Sequence, residues 1–262
     1  MPSVSNERRY MTQPVMLIHG YNDTAAIWQP LISVLNAACQ NGAPTAAHLC
    51  VHSVQLAKTP SRASADSATL LEQFCEQVEQ AIRGVQTPGS YPWILVGHSM
   101  GGAIAELITE RAKVNIGELI LLTPAPLAGV PLDEATMSRF QSGFLEPNLQ
   151  RARAVRAAMS VNLSEADIDL LVNASAQLEP ELLYQQLTAW TGGHPAGRSP
   201  STIACDVTVV TTEDRFFTQE MLKHMAKRFV NGRTVHIPQA GHWVHREQPE
   251  AVAQLIQDAR RH

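Results

Sequence analysis

The chain has 262 residues, enough for one large α/β domain or two small ones, and with no internal repeat or low-complexity linker a single domain with an insertion is expected. Hydrophobic residues make up 45% and charged residues 17%, which suits a globular protein with a sizeable core. The formal net charge of −4 is scattered, with no basic stripe to hold nucleic acid, and the apolar runs fall far short of the roughly 20 residues needed to cross a bilayer.

In chain order, Met1 to Thr12 is polar and has no apolar core behind Arg8 and Arg9, so no signal peptide is visible and a cytoplasmic address is expected. Pro14 to His19 is the first buried strand, ending at Gly20. A helix follows from about Thr24, with Asp23 or Thr24 as its cap and Ile27, Leu31, Leu35 and Ala38 in helical spacing up to Gly42. Ala47 to Val54 reads as the next strand, followed by a polar stretch from Lys58 to Ser67. Leu70, Leu71, Phe74, Val78 and Ile82 then line a second helix that closes at Gly84. Trp93 to Val96 is a short apolar strand, and Ile104, Ala105, Ile108 and Ala112 form one face of the helix after it. Glu118 to Thr123 is a fourth strand, stopped by Pro124 and Pro126. Cys205 to Thr211 and Arg233 to Ile237 are the fifth and sixth, with a helix from Gln219 to Phe229 between them. The last helix starts near Pro249 and packs through Val252, Leu255 and Ile256. Strands alternating with helices predict an α/β fold, a mostly parallel sheet flanked by helices.

From Leu127 to Ser201 that rhythm breaks. Helical patches cover Glu134 to Phe144, Leu149 to Met159, Ser164 to Ala174 and Glu179 to Trp190, and Ser164 with Asp167 forms a capping pair. The expected organisation is a core domain of residues 1–126 and 202–262 with a helical lid of residues 127–201 inserted between the fourth and fifth strands. The Gly- and Pro-rich segment Thr191 to Pro200 is expected to be a flexible return to the sheet.

Chemistry concentrates at Gly97-His98-Ser99-Met100-Gly101, a G-x-S-x-G between strand and helix. A tight turn there strains the serine and lifts its hydroxyl clear of the sheet, while the glycines let neighbouring backbone pass close by. Because a serine hydroxyl is a weak nucleophile at neutral pH, it needs a base in reach and a third group to orient that base. His242, after the sixth strand, is the candidate base, and Asp214, after the fifth, the candidate acid. Ser99, Asp214 and His242 all emerge at the carboxyl edge of the sheet. Glu213 is a rival acid and Asp133 a weaker one. The oxyanion donors expected are the backbone N–H groups of Tyr21 and Met100. His19 and His98 read as loop-holding residues. His245, three residues after His242, has no accompanying H-E-x-x-H pattern, so no metal is expected. The four cysteines are widely spaced and read as buried reduced thiols.

His19-Gly20 with Trp28 downstream, Gly97 to Gly102, Glu213-Asp214-Arg215 and Gly241-His242 resemble the α/β-hydrolase superfamily, over nearly the whole chain outside the insertion. In that superfamily the helical cap falls where this insertion falls. Two features depart from it: the leading hairpin of many members is missing or reduced, and Val54 to Ser64 lacks the glycine-bearing turn often found after the next strand. The resemblance implies a serine hydrolase acting on a carboxylic ester or lactone, with no cofactor and with no membrane or nucleic-acid partner. Phe140, Phe144, Met159 and Trp190 form the apolar underside of the inserted helices. Phe140, Phe144 and Trp190, with Trp28, are the expected substrate-binding residues. The same triad supports thioester hydrolysis, C–C bond cleavage and lyase chemistry, and a silent ligand-binding protein is a rival of another class. Epoxide hydrolases and dehalogenases are excluded, since they carry Asp where Ser99 stands.

Overall fold

The computed structural model describes residues 12–40, 48–62, 64–85, 91–145 and 148–259. The polar N-terminus, Ala47, and the side chains of Cys39 and Phe144 lie outside the described residues. Six strands, β1 (Thr12–Ile18), β2 (His48–Val54), β3 (Trp93–His98), β4 (Ile116–Leu122), β5 (Asp206–Thr211) and β6 (Gly232–His236), form one sheet in the order β2-β1-β3-β4-β5-β6. Every pairing is parallel.

The strands are apolar on both faces because helices cover both. Met16 and Ile18 of β1 and Trp93 and Leu95 of β3 point into one core, with Leu71, Phe74 and Val78 of α2 (Ser67–Gly84) and Ile104 and Ile108 of α3 (Met100–Arg111). Val15 and Leu17 of β1 and Ile94 and Val96 of β3 point into the other. There they meet Leu31 and Leu35 of α1 (Gln29–Gln40) and Val252 and Ile256 of α10 (Pro249–Ala259). The two-residue period of a strand thus feeds two separate cores, the arrangement of a parallel sheet buried on both sides.

Between β4 and β5 the chain forms α4 (Glu134–Leu145), α5 (Leu149–Met159), α6 (Glu165–Ser175) and α7 (Pro180–Gly192). Ser164 and Asp167 make a full capping box at the start of α6. After β5 come α8 (Gln219–Ala226) and a four-residue helix, α9 (Val244–Glu247), which lacks enough turns to show periodicity in the sequence. Among the described residues no helix is long and apolar enough to cross a membrane.

Several local expectations are corrected. The helix after β1 opens with a 3-10 turn, Ala25–Trp28, and Thr24 sits at its N-cap without a side-chain cap bond. Gln55 Oε1 accepts the Ala25 N–H instead (2.8 Å), and Asp23 is drawn into the interior by other partners. The return from Thr191 to Pro200 is packed rather than loose. It contains a 3-10 turn, Pro195–Arg198, and the His194 N–H donates to the Leu127 carbonyl (2.7 Å). Of the cysteines, Cys75 is buried, but Cys50 and Cys205 are only partly so; all three are free thiols.

Candidate active site

The strand order reverses about β1: the chain runs from β1 outward to β2, then returns across it to β3. Open parallel sheets form a crevice at the carboxyl ends of the strands beside such a reversal. Ile18 and Gly97 are paired there, so β1 and β3 end level, and the loops that follow them meet. Ser99 occupies the turn from β3 into α3 with φ 52° and ψ −122°. That conformation costs on the order of 1–3 kcal/mol in a non-glycine residue and persists only where surroundings enforce it. Here the Ser99 N–H donates to Leu122 O (3.1 Å), and its carbonyl accepts from the N–H groups of Gly102 (2.8 Å) and Ala125 (2.9 Å). The turn also needs glycine at 101, where a Cβ would lie 2.2 Å from the Ile18 carbonyl oxygen. Met100 is the first residue of α3, where backbone N–H groups have no acceptor within the helix.

The loop after β1 presses against this turn. A Cβ on Gly20 would stand 2.9 Å from Ser99 Cβ. His19 anchors the loop: its Nε2 accepts the Leu56 N–H (3.1 Å), which leaves Nδ1 to donate to the Gly20 carbonyl (2.9 Å). Burial lowers the His19 pKa, so this one tautomer is held in the neutral form.

On the neighbouring loops, His242 Nδ1 and Asp214 Oδ2 are 2.6 Å apart, and both side chains are buried. The other Asp214 oxygen accepts the Phe216 N–H (2.8 Å). Burial pushes the Asp214 pKa up, but attraction to His242, their hydrogen bond and the amides of Phe216 and Phe217 bring it net below the usual carboxylate value. The backbone of His242 is held from two sides. Its N–H donates to Met159 O (2.8 Å), and its carbonyl accepts from His98 Nε2 and the Thr123 hydroxyl, both at 2.9 Å. His98 is fully buried, and burial with repulsion from His242 pushes its pKa down to about 3. It is a neutral structural donor.

Glu213 has different work. Its carboxylate accepts the N–H groups of Gln239 (3.2 Å) and Ala240 (3.1 Å), bracing the loop that carries His242. Asp133 is exposed and bonds Thr136 in the first turn of α4. His245 is fully buried, its ring 4.3 Å from that of Trp28 and 4.5 Å from that of His98. Among the described residues, no group of three or more His, Cys, Asp and Glu side chains is arranged to hold a metal ion.

Aromatic rings run from the inserted helices to His242. Tyr21 stands 5.8 Å from Phe140 and 6.1 Å from Trp190, and Trp190 stands 6.0 Å from Phe216. Phe216 and Phe217 are 4.9 Å apart, and Phe217 is 5.7 Å from the His242 ring. The structure therefore brings Tyr21, Phe140 and Trp190 together. It does not bring Trp28 to them, since that ring lies in the opposite core against His245. Met159 packs against that opposite core too. Phe216 and Phe217 went unmarked in the sequence, although they directly follow Asp214-Arg215 on the same loop.

Two further polar residues are invisible to sequence reading. Arg156 of α5 is buried and donates to Asp23 Oδ1 (3.0 Å) and the Asn22 carbonyl (2.7 Å), with nothing local to set it apart from Arg151 and Arg153. Glu247 accepts four backbone N–H groups: Gly241 (3.0 Å) and Trp243 (3.2 Å) beside His242, and Val161 (2.6 Å) and Asn162 (2.8 Å) after α5.

The sequence model described as the alpha/beta hydrolase family matches residues 15–255. Monoglyceride lipase of Mus musculus is 32% identical over 80 residues, 29% of this chain, and the match spans only 26% of that relative's length. Esterase YbfF of Escherichia coli (strain K12) is 24% identical over 180 residues, 62% of this chain and 64% of that one. Among solved structures, a bromoperoxidase from Bacillus anthracis superposes with a TM-score of 0.79 at 16% identity, over 97% of this chain and 93% of that one. At that identity the likeness concerns the fold.

Proposed function

The chain belongs to the alpha/beta hydrolase family, and from that footing we propose that it is a serine hydrolase cleaving a carboxylic ester or lactone through an acyl-enzyme on Ser99. The observation that carries this reading is the buried 2.6 Å contact between His242 and Asp214, at the sheet edge where Ser99 is held in its strained turn. Ser99 attacks the substrate carbonyl while His242 takes its proton. Asp214 fixes the imidazole through Nδ1 and stabilises the charged form that results. The oxyanion is met by the N–H groups of Met100 and Tyr21, on the two loops that meet at Gly20. His242 then protonates the leaving alcohol and activates the water that releases the acid.

Residues 127–201 act as the lid, and the rings of Tyr21, Phe140, Trp190 and Phe216 form an apolar wall suited to an uncharged ester with an acyl-chain or aromatic part. The esterase and lipase among the relatives agree with ester chemistry.

The test is a hydrolysis screen on p-nitrophenyl esters of rising acyl length and on lactones, run with wild type, Ser99→Ala, Asp214→Asn and Glu213→Gln. Ser99→Ala is expected to abolish turnover with an unchanged fold. Asp214→Asn is expected to lose about 10⁴-fold in kcat, and Glu213→Gln far less. Near wild-type turnover by Ser99→Ala would sink the assignment, and the reverse order of the two acids would move that role to Glu213. A wild type inert on every ester and lactone would redirect the reading to C–C cleavage or ligand binding.

A further inference from the structure

We propose that Arg156 is a positioning residue for the oxyanion loop, so that the inserted helices help to build the catalytic centre as well as to cover it. This rests on the reading of the Tyr21 N–H as an oxyanion donor.

His19 anchors the loop after β1 at Gly20, and side chains of the insertion hold it further along, at Asn22. Asn22 turns the loop at φ 56°, a left-handed conformation that Asn tolerates better than other non-glycine residues, and both its backbone groups are held by side chains. Both side chains come from the insertion. The Asn22 N–H donates to Gln186 Oε1 of α7 (3.0 Å), and the Asn22 carbonyl accepts from Arg156 of α5 (2.7 Å). The peptide planes before and after Asn22 are thereby fixed, and the plane before it carries the Tyr21 carbonyl. A rotation there would swing the Tyr21 backbone one peptide away from its N–H.

Arg156 also reaches the base. Its second donor meets Asp23 Oδ1 (3.0 Å), whose other oxygen accepts the indole N–H of Trp243 (3.2 Å), next to His242. The guanidinium lies 4.7 Å over the Trp243 ring. Asp23 Oδ2 is also 3.7 Å from His98 Nδ1, and His98 in turn holds the His242 carbonyl. One planar fork therefore connects the oxyanion loop, a buried carboxylate and the histidine loop. A lysine provides the charge without that geometry.

The experiment uses the full chain, p-nitrophenyl butyrate as substrate and an alkyl trifluoromethyl ketone as a reversible mimic of the tetrahedral oxyanion. Arg156→Met is expected to lower kcat by about 10- to 100-fold, less than outright deletion of an oxyanion donor, with KM within about threefold. Ketone affinity is expected to fall by the same factor as kcat/KM, since the adduct needs the same donors. Arg156→Lys keeps a counter-ion for Asp23 and therefore the fold. It is expected to fall between wild type and Arg156→Met in both kcat and ketone affinity. The proposal is overturned if Arg156→Lys equals wild type in both readouts, or if either folded variant loses KM alone with ketone affinity intact. A wild type that neither hydrolyses the ester nor binds the ketone would overturn the underlying reading of Ser99, and this one with it.

Discussion

The inserted helices are attached to the body by two kinds of contact, directed polar bonds and stacked rings, and these are unevenly shared among them. Around α5, the contacts are polar and directed: Arg156 to Asn22 and Asp23, Met159 O to His242, and Glu247 to Val161 and Asn162. Around α4 they are rings, with Phe140 packed on Tyr21 and Trp190, while α7 combines the two: Trp190 packs on Tyr21 and Phe216, Gln186 accepts the Asn22 N–H, and Gln185 bonds the backbone of Thr59 and Ser61. Directed bonds specify one geometry and penalise departures steeply, whereas stacked rings tolerate sliding. The difference teaches that the polar bonds of α5 and of the α7 glutamines fix where the loops bearing Tyr21 and His242 stand, while the rings of α4 and α7 shape the apolar wall beside them.

The largest expected effect comes from breaking the polar side. Glu247→Ala leaves four backbone N–H groups without their acceptor, a loss on the order of 3 kcal/mol or more. Differential scanning calorimetry should then show Tm lower by about 6–12 °C, together with loss of turnover at temperatures where the chain is still folded. A Tm unchanged within a degree would mean that the two loops hold without this carboxylate.

Acid is the second way in, because the buried neutral histidines His98 and His245 lie on the polar side, with His19 at the end of β1. Burial depresses all three pKa values below 6.5. The unfolded chain therefore binds protons that the folded one refuses. The stability they contribute is whole above about pH 6.5 and is lost as pH falls from there toward the depressed values. For His98, pushed down to about 3, the loss between pH 7.5 and 5.5 is about 1 kcal/mol, and the other two act in the same direction. Buried Glu106, pushed up to about 7, takes up a proton in the folded chain over the same window and acts the other way. The sign is therefore tested by thermal melts of wild type and His98→Gln at both pH values. Acidification should cost wild type more Tm than the variant, and an equal change would contradict it.

The smallest effect on stability, and the sharpest on selectivity, belongs to the rings. Phe216 is 37% exposed, so Phe216→Ala is expected to cost about 1 kcal/mol or less. Its kcat/KM should fall more for long-chain or aromatic p-nitrophenyl esters than for the acetate. An equal change across the series would remove Phe216 from the substrate wall.

The sheet, its helices and the strand–turn–helix around Ser99 were legible because each is written locally: a continuous apolar run for a strand buried on both faces, a period near four for helices, and glycine at the turn. The strand ends and the start of α1 were less so. Thr24 has the composition of a cap, but Gln55, thirty-one residues later, provides the acceptor. Trp28 looks like a pocket residue from its place after β1 and lies in the far core instead. Arg156 and Glu247 could not be read at all. Asp23 is 133 residues from Arg156 and Val161 is 86 from Glu247, and neither charge differs locally from the surface charges beside it.

The packed return at the end of the insertion has a further consequence. Gly129 and Gly193 both have positive φ, and a Cβ on Gly193 would lie 2.2 Å from the Gly129 nitrogen, so the outgoing and incoming chains touch backbone to backbone. Sixty-odd residues thus begin and end at one spot, already closed by the His194 to Leu127 bond. Such a closed excursion adds little chain-closure entropy however long it grows. This clasp is a socket: helices of another length or lining can be seated in it without moving the Ser99 turn, which is held by Leu122, Gly102 and Ala125, provided that they keep the bonds to Asn22 and His242.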